Sequence, residues 1–238
     1  MDQLPLRIAG MLGTILAELP LVFPALTWLG GFRWFAFPIF AFLVNEGYEK
    51  ALDRRLYARR LIIFALLSEI PYDLLRTGRA VDYDGQNVLF TLFVGYVAIL
   101  ALDRVRSKLE NTFVTLLTAL ALSWIGYNLG KAFGLEMYGI AVALMLVFNI
   151  AGNVTYTKLM QFACLMYAAY TDYAATLLQP AADAPFSVPA PVFALAALVL
   201  IWIYNGERGP NTLKIKYLFY AFYPATLLLL WLLKLLVQ

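Results

Sequence analysis

Residues 32–50 read FRWFAFPIFAFLVNEGYEK, a run that would dissolve in lipid as far as Val44 and then carries Asn45 and Glu46 before its apolar character ends. A charge left at the centre of a bilayer costs about 3 kcal/mol or more, so a carboxylate here needs water or a partner. Glu46 therefore either marks the end of a membrane span or belongs to a polar site held inside a helix bundle. The rest of the chain bears on that choice.

Working outward, the composition removes most alternatives. Of 238 residues 63% are hydrophobic and 14% charged, with a mean hydropathy of +0.75, whereas soluble domains hold about a quarter charged residues. An integral membrane protein is implied, with room for one compact transmembrane domain over residues 1–238. The net charge of +3 does not point to nucleic acid, because the basic residues sit in short loops between apolar runs and form no basic face. A single cysteine, Cys164, excludes an intrachain disulfide. The apolar stretch after Arg7 lacks a small-residue cleavage site and runs on towards the next span, so no cleavable signal peptide is expected.

Apolar segments of roughly 20 residues, the length that crosses a hydrocarbon core of about 30 Å, recur about nine times. Their expected limits are 6–29, 32–49, 57–76, 87–103, 112–130, 135–152, 156–178, 188–204 and 214–237. Such continuous runs cannot alternate as barrel strands do, and lipid satisfies no backbone polar group, which leaves helices. The fold class is thus an all-α polytopic bundle. Punctuation between spans is plain: LGGFR (29–33), ALDRRLYARR (51–60), the Pro-rich QPAADAPFSVPAP (179–191) and YNGERGPNTLKIK (204–216). With the amino terminus inside, 13 of the 18 Lys and Arg residues fall on the cytoplasmic side and 5, among them Arg33 and Arg76, on the other.

That topology puts Glu46 near the inner end of its span, where an interfacial role becomes plausible. Other polar residues lie deeper. Glu18 is expected near the middle of the first span, followed by Pro20 and Pro24, and LLSEIPYD places Ser68, Glu69 and Asp73 around Pro71. They must face inward, and a proline frees a carbonyl that a polar neighbour can use. Arg33, Glu69, Asn87 and Glu136 all fall towards the outer halves of their helices and are expected to share a polar pocket, either a functional site or a network that locks the bundle.

The ordered set GGFRWFAFPIF, LLSEIPYDL, GQNVLFTLF, MYGIAVAL, IYNGERG and KYLFYAFYPATLLLL resembles the TraX family over nearly the whole chain. That family is named after the conjugation protein that acetylates the amino terminus of F-type pilin. The resemblance implies an acyltransferase of a bacterial cytoplasmic membrane, with acetyl coenzyme A as donor and a pilin-like protein or small amine as acceptor. Arg33, Glu46, Ser68, Pro71 and Asn87 fall on the family pattern, and Arg33, Glu46, Glu69 and Asn87 would support the pocket. The departures are equally informative. Where family members carry an Asp-His pair in the first helix this chain has Ala17 and Glu18, a histidine after the last Tyr-Pro is replaced by Thr226, and no histidine occurs anywhere. Proton transfer at neutral pH usually rests on histidine; here Glu18, at the histidine position, is the candidate base, with Arg33, Glu69 and Asn87 as further catalytic candidates.

Coenzyme A needs a place for its phosphates. The loop 204–216 offers Arg208, Lys214 and Lys216, with Asn205 and glycines that let backbone amides approach an anion, although positive-inside charge alone also explains these bases. No phosphate-loop or dinucleotide fingerprint and no Cys or His cluster with metal-ligand spacing is present. A non-catalytic scaffold that keeps the fold, or a proton-coupled transporter built on buried carboxylates beside prolines, remains an alternative reading. The charge count predicts the topology: a fluorescent protein that matures only in the cytoplasm should glow when fused to the amino terminus and stay dark at the carboxyl terminus.

Overall fold

The computed structural model describes residues 1–151, 155–177, 188–209 and 212–237, without side chains at 138–139, 151, 155–157, 175–177, 213–214 and 216. Nine α-helices lie among the described residues: α1 Gln3–Glu18, α2 Arg33–Lys50, α3 Arg54–Thr77, α4 Val88–Leu109, α5 Thr112–Phe133, α6 Tyr138–Ala151, α7 Thr155–Leu177, α8 Ala190–Ile203 and α9 Leu213–Val237. No β-strand occurs among them, so the all-α expectation holds and the helices follow the apolar segments in order. Gln3–Leu21, Pro24–Lys50, Val88–Leu109, Thr112–Phe133 and Tyr217–Val237 are long and apolar enough to cross a membrane. With 14 residues each, α6 and α8 span only about 21 Å at 1.5 Å per residue.

Local chemistry sets the helix ends. Asp2, Asn87 and Asn111 cap α1, α4 and α5 by accepting backbone N–H groups of the first turn. Asp53 does the same for α3, accepting from Leu56 and Arg55 at 2.9 and 2.8 Å. These bonds, first that from Leu56, lower the carboxyl pKa of this exposed residue. Gly134, at φ +62°, closes α5 in the left-handed conformation that glycine adopts without penalty.

The first span departs from its expected limits of 6–29. Helix α1 stops at Glu18, 3-10 turns follow at Leu19–Leu21 and Pro24–Phe32, and the second of these leads directly into α2. The cause is the proline pair: neither residue can donate a helical hydrogen bond, and Phe23 before Pro24 is extended, at φ −119° and ψ 90°. Glu18 accordingly sits at the end of a helix rather than in the middle of one.

Two compact units are formed, the first from Met1–Phe40, Ile70–Ala80 and Leu165–Gln238 and the second from Ala41–Glu69 and Val81–Cys164. In the first unit, Gly13 of α1 lets the helix approach Phe35 and Ala36 of α2, and Gly31 accepts Phe193 of α8, whose ring lies 4.7 Å from that of Phe32. The carboxyl ends of α1, α3 and α9 meet there: Arg76 lies 3.9 Å from Glu18, and Lys234 donates to the Leu75 carbonyl at 3.0 Å. Alternating crossings require that meeting, and the ammonium suits the negative end of the α3 dipole.

In the second unit α4, α5 and α6 pack together. Gly95 faces Met145, and a Cβ on Gly126 would fall 2.5 Å from Val142 Cγ2. Small residues allow this approach where apolar side chains gain little by leaving lipid. Elsewhere large apolar side chains stay exposed, Leu120 and Trp124 of α5 at 68% and 69% and Leu229 of α9 at 66%, as helices facing acyl chains require. Replacing Gly126 with Leu should cost about 1–3 kcal/mol by overpacking the α5–α6 contact, read as a lower unfolding midpoint in detergent than for the parent.

Candidate functional site

Polar side chains buried in this protein occur in engaged sets rather than singly. Asn87 is completely buried, and its amide does three things at once. Its Oδ1 accepts from Leu89 N–H at 3.0 Å, capping α4, while Nδ2 donates to the Ala65 carbonyl at 2.8 Å and to Glu69 Oε2. Glu69 thereby sits at the positive end of the α4 dipole, which favours a carboxylate. One turn on, Thr91 donates to the Glu136 backbone carbonyl at 2.7 Å. Ser68, also fully buried, returns its hydroxyl to the Phe64 carbonyl at 2.6 Å.

Of the expected pocket, the structure thus joins Glu69 with Asn87, and Thr91 in the next turn engages the Glu136 backbone carbonyl. Arg33 and Glu18 belong to the other unit and have partners of their own. Glu18 is 8% exposed and faces Arg76, whose guanidinium also lies 4.6 Å from the centre of the Tyr72 ring. Arg33, the first residue of α2, lies 3.6 Å from Asp172 Oδ2, which in turn accepts from Trp34 Nε1 at 2.7 Å. Thr226 is buried on α9.

Glu46 forms an ion pair with Lys50 one turn along the same helix. The carboxylate in the opening stretch is therefore neutralised at the end of a span. Its neighbour Asn45 is the residue that enters the interior: 4% exposed, it donates to the Ala41 and Met145 carbonyls at 3.0 and 3.1 Å. Asn45 Oδ1 has no hydrogen-bond partner among the described residues.

The loop expected to receive coenzyme A phosphates is engaged with the amino terminus. Asn205 N–H donates to the Met1 carbonyl, Gln3 N–H donates to the Glu207 carbonyl, and Asn205 Oδ1 accepts from Glu207 N–H at 3.1 Å. Asn205 thus closes the loop, and two of the amides that could approach an anion are used. Asp2 brings a carboxylate to Gly209, which disfavours an anion there. Arg208 is exposed, and the side chains of Lys214 and Lys216 lie outside the described residues.

Two acidic residues escaped the sequence reading. Asp172 lies in the run AAYTDYAA (168–175) and gathers Arg33 and Trp34. Asp103, near the carboxyl end of α4, accepts from Tyr48 at 2.6 Å and from Arg54 at 2.9 Å, while the Arg54 guanidinium lies 4.0 Å from the centre of the Tyr48 ring. The available signal was the one applied to Glu69: an ionisable residue inside an apolar run needs an explanation.

An all-helical, polytopic membrane protein whose interior polar groups are joined in pairs and triads is the class these features define. A family model described as TraX protein matches residues 19–234, and the chain belongs to the TraX family. The matched segment starts immediately after Glu18. No curated protein and no solved structure matches the chain.

Asn87 carries a capping role that alanine cannot fill. Asn87→Ala should destabilise the protein by about 1 kcal/mol for the cap and further for the lost bonds to Ala65 and Glu69, whereas Asn87→Asp should keep the cap but set two carboxylates against each other. Unfolding midpoints of both variants in detergent check this, with each expected below the parent.

Proposed function

We propose that the protein is a membrane acetyltransferase that takes the acetyl group from acetyl coenzyme A and passes it to a primary amine, on a pilin-like protein or a small molecule, in a bacterial cytoplasmic membrane. The family match over 19–234 carries this reading. In the transfer the amine nitrogen attacks the thioester carbonyl, a C–N bond forms and the C–S bond breaks. The proton released by the amine passes to a base and then to the departing thiolate, giving an amide and coenzyme A. Glu18 is the base in this reading, since it is buried and stands where the resemblance puts a histidine. A carboxylate withdrawn from water is able to carry a proton near neutral pH. Arg33 in the first unit and Glu69 with Asn87 in the second each hold helices of their own unit in register, and Arg208, Lys214 and Lys216 would receive the donor's phosphates.

One observation favours a second reading, a binding protein that keeps the fold without the chemistry: the sequence contains no histidine, and Glu18 already faces Arg76. The two separate cleanly in one set of assays on purified protein with acetyl coenzyme A and a panel of primary amines. Enzyme activity should appear in the parent and fall by about 100-fold or more in Glu18→Gln, in line with the loss of a general base; equal rates would remove Glu18 from the chemistry. A silent parent whose triple variant Ala17→Asp, Glu18→His, Thr226→His transfers acetyl groups would establish the binding protein with a disarmed site.

A further inference from the structure

Arg33 lines a cavity of about 170 Å³ in the first unit, together with Thr27, Trp28, Gly30, Asp172 and Tyr173. A water molecule needs about 10–15 Å³ on the same measure, so the space admits a sizeable headgroup. Its chemistry has a definite sign. Oδ2 of Asp172, the carboxylate on its wall, accepts from Trp34 Nε1 and faces Arg33. The other polar residues of the lining can all donate: the Thr27 hydroxyl, the Trp28 indole N–H, the Tyr173 hydroxyl and the remaining N–H groups of Arg33, none with a protein partner among the described residues. Arginine has five N–H donors in a rigid fork, and its single contact here, at 3.6 Å, leaves most of them open.

Several donors lining one space beside a guanidinium suit a tetrahedral oxyanion, which can accept from several directions at once. We propose that this cavity binds the phosphate group of a ligand, with Arg33 as the principal cation, the Trp28 indole as a second donor, and Asp172 holding the guanidinium in place. The position fits either of two sources. Pro24–Lys50 is 27 residues long, more than the roughly 20 a span needs, so its Pro24–Phe32 end reaches headgroup depth, where Trp, Tyr and Arg are the favoured residues. At that depth the cavity is within reach of a phospholipid headgroup from the bilayer or of a phosphoester from the water. This inference stands apart from the acyl-transfer reading, because it needs no reaction.

Isothermal titration of the detergent-purified protein with dihexanoyl phosphatidic acid and, separately, with adenosine 3′,5′-bisphosphate tests it. At least one phosphate probe should bind, and the one that does identifies the source. Affinity should fall about tenfold in Arg33→Gln, as for a lost charge-assisted hydrogen bond, and similarly in Gly30→Leu, which fills the space. No atom lies within 4 Å of a Cβ built at Gly30, so that variant should unfold at the parent's temperature. Asp172→Asn removes no donor and keeps an oxygen to hold the guanidinium, so it should weaken binding less than Arg33→Gln. The proposal fails if neither probe binds, if Arg33→Gln or Gly30→Leu binds as tightly as the parent, or if hexylamine binds instead and is lost in Asp172→Asn, which would make the cavity a cation site.

Discussion

Hydrocarbon offers no hydrogen bond, and most of this structure answers that fact. A backbone group left open in lipid costs several kcal/mol, so the described residues fold almost entirely into helices that satisfy their own ladders. The exceptions are informative. Pro38, Pro71 and Pro224 lie inside α2, α3 and α9, and each removes one donor from its ladder. At Pro20 and Pro24 the helix gives way to 3-10 turns, the local solution when two donors are missing within five residues.

The same constraint governs side chains and limits what a buried acid can be taken to mean. Glu46 is held by Lys50, Glu69 by the amide that caps α4, and Glu18 faces Arg76. Each arrangement gives the acid a structural role, although Glu69 Oε1 is buried with no hydrogen-bond partner among the described residues. Belonging to the TraX family supplies the reason to look for chemistry among these groups, and Glu18 is the one whose position and burial suit it. Arg33 is different in kind. It is largely exposed, its single partner is distant, and it lines a cavity with donors to spare.

Much of the fold was legible in the residues. The nine apolar segments became nine helices in order among the described residues, since run length and the absence of alternation leave one solution in a bilayer. Capping signals such as Asn87 and Asn111 lie where the helices begin. The first span was misjudged because hydropathy registers Leu and Pro alike as permissible in an apolar run, whereas the backbone does not. The close approach of Gly126 to Val142 is a feature that hydropathy does not register. The site was less legible: Glu69 and Asn87 are bonded to each other, whereas nothing in the spacing of the sequence points from Arg33 to its partner Asp172.

What the sequence determined by itself was the class of solvent, the number and order of helices and the need for every buried charge to find a partner, because these follow from composition and run length. Which partner each charge found was decided by tertiary structure. Trp34 reaches Asp172 across 138 residues and Tyr48 reaches Asp103 across 55. Such pairs are set by which helix faces touch and at what height, and neither quantity is written in the spacing of residues along one chain.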